Sequence, residues 1–271
     1  MVKQSDYNIK EVKICSSVLL ELMTILGEFR ENVIIIGGNV PPLLMPNAEE
    51  KYPGTLDIDI ALDSRKISDD TYRTILEKLI EGGYYQRNGD QPFRFYRDVN
   101  EFTIEIDLLS GEYGGTRNKR RHQKVQDIKA RKARGCDLVF SRYTKVTLSG
   151  KLPTGAENKV VVKVAGIGPF LVTKGMALDN RLKEKDAFDI YYCIKNFPGG
   201  IDVLVEVVKP ILMNKLGKEG FNKVKTKFET LNSIGPNFVV DFLEITDKEE
   251  REIEKRKAFE LISNLLYKLD I

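Results

Sequence analysis

Between Thr55 and Leu62 the residues alternate: Leu56, Ile58, Ile60 and Leu62 fall on one side, Asp57 and Asp59 on the other. Alternation at every second residue marks a β-strand, whose successive side chains point to opposite faces. Both carboxylates are therefore forced away from the apolar face. The pattern returns at 102 to 109, where Phe102, Ile104, Ile106 and Leu108 share a face and Thr103, Glu105 and Asp107 share the other. With residues 92 to 98 before it and a turn at Asp98 to Asn100, this stretch reads as the second strand of a β-hairpin. Strands this apolar on one face are expected near the centre of a sheet. Carboxylates on such strands repel one another unless a cation or a base neutralises them.

The rest of the chain divides by pattern. Residues 9 to 29 carry Val12, Cys15, Leu19, Leu22, Leu26 and Phe29 at helical spacing. Val33 to Ile36 is a short apolar run, read as a buried strand that Gly37 and Gly38 end. Residues 69 to 82 read as a helix, and short strands are expected near 137 to 140, 144 to 149 and 159 to 165. From Pro169 onward helices dominate, at roughly 170 to 196, 201 to 215, 218 to 231 and 247 to 269. This order predicts two domains, 1 to 168 mixed α/β and 169 to 271 helical.

Composition narrows the chemistry. His122 is the single histidine, so histidine metal clusters are excluded and Ser-His-Asp or Cys-His catalysis would hang on one residue in a basic run. Cys15, Cys136 and Cys193 are far apart with no CxxC spacing, which argues against a disulfide framework or a zinc site and fits a reducing cytosol. An enzyme built on this chain must work with carboxylates and lysines. Lys10, Glu11, Lys13 and Glu21 interrupt any leader-like apolar stretch, and no run of 18 apolar residues occurs. The expectation is a cytoplasmic protein without a membrane span.

Asp57 and Asp59 should have α-carbons about 6.5–7 Å apart, from the rise of a strand. Such a pair can share a divalent cation, or grip two ions about 3.5–4 Å apart. Magnesium suits these hard oxygen ligands, with phosphate and water completing its shell. Asp107, also on the polar face of an alternating strand, would be the third carboxylate. The competing reading is a charged strand face turned to water. Glycines after a buried strand let backbone N–H groups approach a phosphate, although a tight turn explains them equally.

The segments IIIGGN, TLDIDIAL and IEIDLL together resemble the nucleotidyltransferase superfamily, the fold of DNA polymerase β and the aminoglycoside nucleotidyltransferases. The run LVTKGMALDNRLKEKDAFDIYY is similar to the helical segment of the AbiEii-type family, which includes toxins of abortive-infection toxin–antitoxin systems. The resemblance covers roughly residues 30 to 200. It implies an α+β fold, with a mixed polymerase β-like sheet flanked by helices and followed by a C-terminal helical domain. It implies transfer of a nucleoside monophosphate from a nucleoside triphosphate to a hydroxyl on RNA, protein or a small molecule, with two magnesium ions, and a cognate antitoxin protein as partner. Gly37, Gly38 and Asn39 would meet the nucleotide, Asp57 and Asp59 the metals, and Asp107 would complete the metal site. Lys174 and Arg181 would contact the nucleotide, and Asp186 would be a further site residue. Asn39 stands where the family has Ser or Thr, and 18 residues separate Gly38 from Asp57, with MPNAEEKYPG as an insertion that could form a lid or block the pocket.

Read as one helix, 170 to 196 places Lys174, Arg181, Lys185 and Asp189 on one arc. They are either an active-site group or an internal salt-bridge set. The segment 117 to 134 holds nine Lys and Arg, including Arg117, Lys119, Arg120, Arg121 and Lys124, against one acid, Asp127. It could grip an RNA backbone or be a solvated face. Two other functions stay open: a non-catalytic nucleotide- or RNA-binding module, and a protein sequestered by a partner.

Overall fold

The structure is a computed structural model and describes residues 1–63, 69–111, 122–125 and 128–271. Two compact units result: a sheet unit of Asn8–Leu44 and Gly54–Gly166, and a helical unit of Ile167–Ile271 joined by Met1–Tyr7 and Met45–Pro53. The division expected at 168 thus falls at Gly166, and two earlier segments belong with the helices.

The sheet unit runs α1 (Ile9–Ile25), β1 (Val33–Ile36), α2 (Val40–Leu44), β2 (Asp57–Leu62), α3 (Asp69–Glu81), β3 (Arg94–Val99), β4 (Phe102–Ser110), β5 (His122–Val125), β6 (Ile128–Lys132), β7 (Tyr143–Lys151) and β8 (Glu157–Ala165). Among the described residues eight strands form one mixed sheet in the order β5-β6-β4-β2-β1-β8-β7, with β3 pairing β4 beside β6. β2 is antiparallel to β1 and parallel to β4, so the two acidic strands are neighbours near the middle of the sheet. The apolar faces form the core, with Ile58, Ile60, Ile104, Ile106 and Leu108 at most 1% exposed. The α1 stripe of Val18, Leu19, Leu22 and Met23 is buried as well.

Two expectations fail here for identifiable reasons. The helix predicted to residue 29 ends at Ile25, and Gly27, at φ 53°, leads into a 3-10 turn over Gly27–Asn32. The strand expected at 137 to 140 is a 3-10 turn over Cys136–Phe140, entered from Gly135 at φ 86°. A short apolar run signals burial, and burial is shared by strands and packed turns.

The helical unit runs α4 (Ile167–Arg181), α5 (Glu184–Lys195), α6 (Gly200–Val208), α7 (Lys215–Lys227), α8 (Ile234–Phe242) and α9 (Lys248–Lys268). The single helix expected over 170 to 196 is broken at Leu182, whose φ of 48° is left-handed. The helix α8 lies outside the expected helices, and Gly235 and Pro236 stand in its first turn. Proline is tolerated in a first turn, where its missing N–H would have no partner anyway. Among the described residues no helix is long and apolar enough to cross a membrane.

Helices α4 and α7 meet backbone to backbone. A Cβ on Gly175 would lie 2.5 Å from the Gly220 carbonyl oxygen, and one on Gly220 would lie 2.7 Å from Val172 Cγ1. Alanine at 175 would gain about 1 kcal/mol of helix propensity. Overpacking costs about 1–3 kcal/mol, and a backbone oxygen cannot swing aside as a side chain can. Gly175→Ala is therefore expected to lower the urea midpoint of unfolding.

Candidate functional site

In the β2–β4 register Asp59 lies opposite Asp107, and Asp57 lies opposite Glu105. Opposed residues of paired strands share a face, and paired strands run about 4.7–4.9 Å apart. Four carboxylates thus stand two by two on one side of the sheet. Asp57 is exposed, Asp59 and Glu105 are half-buried, and Asp107 is 7% exposed.

A base neutralises part of this charge. Arg94 on β3 is the register partner of Asp107. Its Nε donates to Asp107 Oδ1 at 2.8 Å and its Nη2 to Asp107 Oδ2 at 3.0 Å. The same Nη2 lies 2.7 Å from Glu105 Oε1. Hydrogen bonding to Asp107 and its negative charge hold the Arg94 guanidinium more firmly protonated than usual. Burial first, and the Asp107 charge second, push the Glu105 carboxyl above the ordinary carboxylate range.

The Gly37–Asn39 turn is packed against β2. Gly37 has φ 67°, in the left-handed region, and a Cβ there would strike the Asp59 carboxylate. A Cβ on Gly38 would lie 2.5 Å from Thr55 Oγ1. Close approach of Asp59 on β2 and of Thr55 just before it thus accounts for both glycines. Asn39 is 5% exposed, and its Nδ2 donates to the Asp57 backbone carbonyl at 3.0 Å, so it anchors the start of β2. Thr55 Oγ1 hydrogen-bonds Asp57 Oδ1.

The donor set suits a hard divalent cation. Its groups are all carboxylate oxygens, and Asp57 and Asp59 occupy alternate positions on one strand face. Both Asp107 oxygens, in contrast, are committed to Arg94. Among the described residues no group of three or more His, Cys, Asp or Glu side chains is arranged to hold a metal ion.

Lys174, Arg181 and Asp186 lie in the helical unit and engage one another. Lys174 Nζ is 2.9 Å from Asp186 Oδ1 and 2.6 Å from Asp189 Oδ2. Arg181 Nε donates to Asp186 Oδ2 at 2.7 Å, and its Nη2 donates to Oδ1 at 2.8 Å. Lys185 Nζ is 3.1 Å from Asp189 Oδ1, which also accepts from the Tyr52 hydroxyl at 2.8 Å. Asp186 is 1% and Asp189 0% exposed. In one continuous helix Lys174 and Asp186 would be about 18 Å apart along the axis. The break at Leu182 folds α5 back so that they touch, which replaces the expected arc with an internal salt-bridge set. Burial alone would raise the Asp186 carboxyl, but Lys174 and Arg181 outweigh it and hold it far below the usual range.

Arg117, Lys119, Arg120 and Arg121 of the basic run lie outside the described residues. Lys124 falls in β5, which pairs with β6 at one end of the sheet order. Residues 45 to 53, read from sequence as part of an insertion, belong to the helical unit through Tyr52 and through the Glu50 carbonyl, which accepts from the Tyr192 hydroxyl at 2.6 Å. Arg94, Glu105 and Tyr52 were not singled out as site residues from the sequence. Glu105 was placed on the acidic face, but nothing local indicates which residue will stand opposite Asp107.

No protein-family model, no curated protein and no solved structure matches this chain.

Proposed function

We propose that this chain is a metal-dependent nucleotidyltransferase that moves a nucleoside monophosphate from a nucleoside triphosphate to a hydroxyl acceptor, with RNA the first acceptor to test. The observation that carries the reading is the pairing of Asp59 with Asp107 across parallel strands, with Asp57 on the same face and the Gly37 turn packed on Asp59. The motif resemblance supports the reading for Asp57 and Asp59, whereas Asp107, which it implies as a metal ligand, is engaged by Arg94. Asp57 and Asp59 would hold magnesium; bound there, it would stabilise negative charge on the phosphates. The residues themselves fix the geometry. Thr55 orients the Asp57 carboxylate, Asn39 pins the backbone of the same residue, and Gly37 leaves room for Asp59. The toxin half of a toxin–antitoxin pair is the biological setting we propose, from the resemblance of the 171 to 192 segment.

The test is transfer of label from each α-labelled triphosphate to total RNA with magnesium. Label should appear in RNA, pyrophosphate should be released, and excess EDTA should stop both. The engagement of Asp107 by Arg94 favours a second reading, a non-catalytic nucleotide-binding module. Nucleotide binding without pyrophosphate release would select it.

A further inference from the structure

We propose that the sheet unit carries a ligand site of its own, a cavity between α1, the β3–β4 turn and the end of β7, which takes a small aliphatic carboxylate. The cavity measures about 360 Å³ and is lined by α1, by Val99 and Asn100, and by residues 148–153. Small-molecule sites span about 300–1,000 Å³. The cavity lies on the α1 side of the sheet. Leu148 pairs with Val160, Val164 with Ile35, and Ile35 with Ile60, so Leu148 shares the face of Ile60, whereas Asp57 and Asp59 point from the other. It is therefore separate from the carboxylate face, and its occupancy does not depend on the function proposed above.

The lining carries charge of one sign. Lys13 and Lys151 border the cavity and no acidic residue does, and among the described residues neither lysine takes part in a salt bridge. Backbone donors stand beside them. Leu152 N donates to the Ala156 carbonyl and Gly166 N to the Arg142 carbonyl, so the even-numbered residues of β7 take the ladder hydrogen bonds. The odd-numbered N–H groups point away from β8, and β7 ends the sheet order, so the amides of Ser149 and Lys151 have no strand to pair with. The Ser16 and Ser17 hydroxyls, in contrast, are committed to α1 carbonyls. Ammonium and amide groups are thus the donors for an anionic head. Ile14, Leu20, Val99, Leu148 and Leu152 make the apolar part, and no aromatic residue lines the cavity. A nucleobase would have no ring to stack on, and an aliphatic body fits this lining. Gly150 is the second pointer to a ligand. A Cβ there would meet only Leu20 Cδ2, at 3.9 Å, an ordinary contact, whereas Gly37, Gly175 and Gly220 are all crowded. Its φ is not left-handed either, so neither packing nor backbone requires glycine. Glycine weakens a strand, and one with room above it marks close approach of a ligand to the backbone.

The experiment titrates the full chain with hexanoate, octanoate and decanoate by isothermal calorimetry, with octanol and octylammonium as controls. At least one carboxylate should bind about tenfold or more tightly than octanol, the effect of one charge-assisted hydrogen bond. Octylammonium should bind no better than octanol. The Lys13→Gln, Lys151→Gln double variant should weaken the carboxylate by about the same factor and leave octanol unchanged. Residue 150 shares the face of Leu148, so Gly150→Leu puts a side chain into the cavity and should abolish binding of the carboxylate. Circular dichroism checks that each variant is folded; if Gly150→Leu is not, the lysine variant decides. Equal affinity for octanol and the carboxylates, or no change in the lysine variant, would overturn the recognition of an anion. Undiminished binding by folded Gly150→Leu would put the ligand outside this cavity. No heat from any of the three carboxylates would overturn the site altogether.

Discussion

With Asp59 replaced by asparagine, nucleotide transfer is expected to fall about 100- to 1,000-fold, because charge stabilisation by a metal ligand is worth several kcal/mol and each 1.36 kcal/mol is a factor of ten in rate. Asparagine has nearly the same shape as aspartate, so it still fits beside Gly37, where nothing larger than hydrogen is accommodated. The same substitution removes one of four carboxylates from the sheet face, and with it some mutual repulsion. Asparagine keeps an oxygen at the same place, so the chain should stay folded by circular dichroism while activity collapses. That divergence separates a chemical role from a structural one. Lost activity together with a lowered melting temperature would point to misfolding. Unchanged transfer would remove Asp59 from the site.

The largest expected effect on stability is at the other unit. Asp186→Ala removes the carboxylate that Lys174 and Arg181 both hold, and Lys174 is only 8% exposed. Breaking a buried ion pair by deleting one partner costs about 3–5 kcal/mol. The cost arises because two buried ammonium groups, Lys174 and Lys185, are left to share Asp189, so it should exceed that of deleting the more exposed Arg181. Acid should reproduce the loss. The Asp186 carboxyl is depressed in the fold, against burial, by Lys174 and Arg181, and Asp189 is depressed in the same direction by Lys174 and Lys185. A depressed carboxyl contributes its full stability above its unfolded pKa, about 3.9, and loses it as pH falls toward the folded value. The urea midpoint of helix unfolding, followed by circular dichroism, should be flat from neutrality to about pH 5 and fall steeply below pH 4. In Asp186→Ala that acid limb should be shallower. An equal slope in both proteins would show that other carboxylates govern the acid transition.

How much of this could be read from the residues follows from the range of the interactions involved. The strands β2 and β4 were legible because alternation is a local property, and it placed Asp57, Asp59, Glu105 and Asp107 on the faces they occupy. The partnership of Asp107 with Arg94 was not legible, since strand register depends on packing along the whole hairpin. The basis of the Lys174 cluster was half legible. The charges were visible, but Leu182 gives no warning of a left-handed residue, so the segment read as one helix and its angular arc was misplaced. The glycine pair was legible as a turn. Its reason, the approach of Asp59 and Thr55, lies 17 or more residues away in sequence.

The segment carrying Tyr52 bears on how the protein is made. Its hydroxyl bonds Asp189, a residue 137 positions later. Ribosomes add about 5–20 residues each second, so roughly 7–30 s pass between the synthesis of the tyrosine and of its acceptor. During that interval residues that complete the sheet are emerging, while residues 45–53 wait for the helices they bond. Closing so long a loop is slow. The helical half of the molecule is thus the part whose assembly has to wait for the nascent chain.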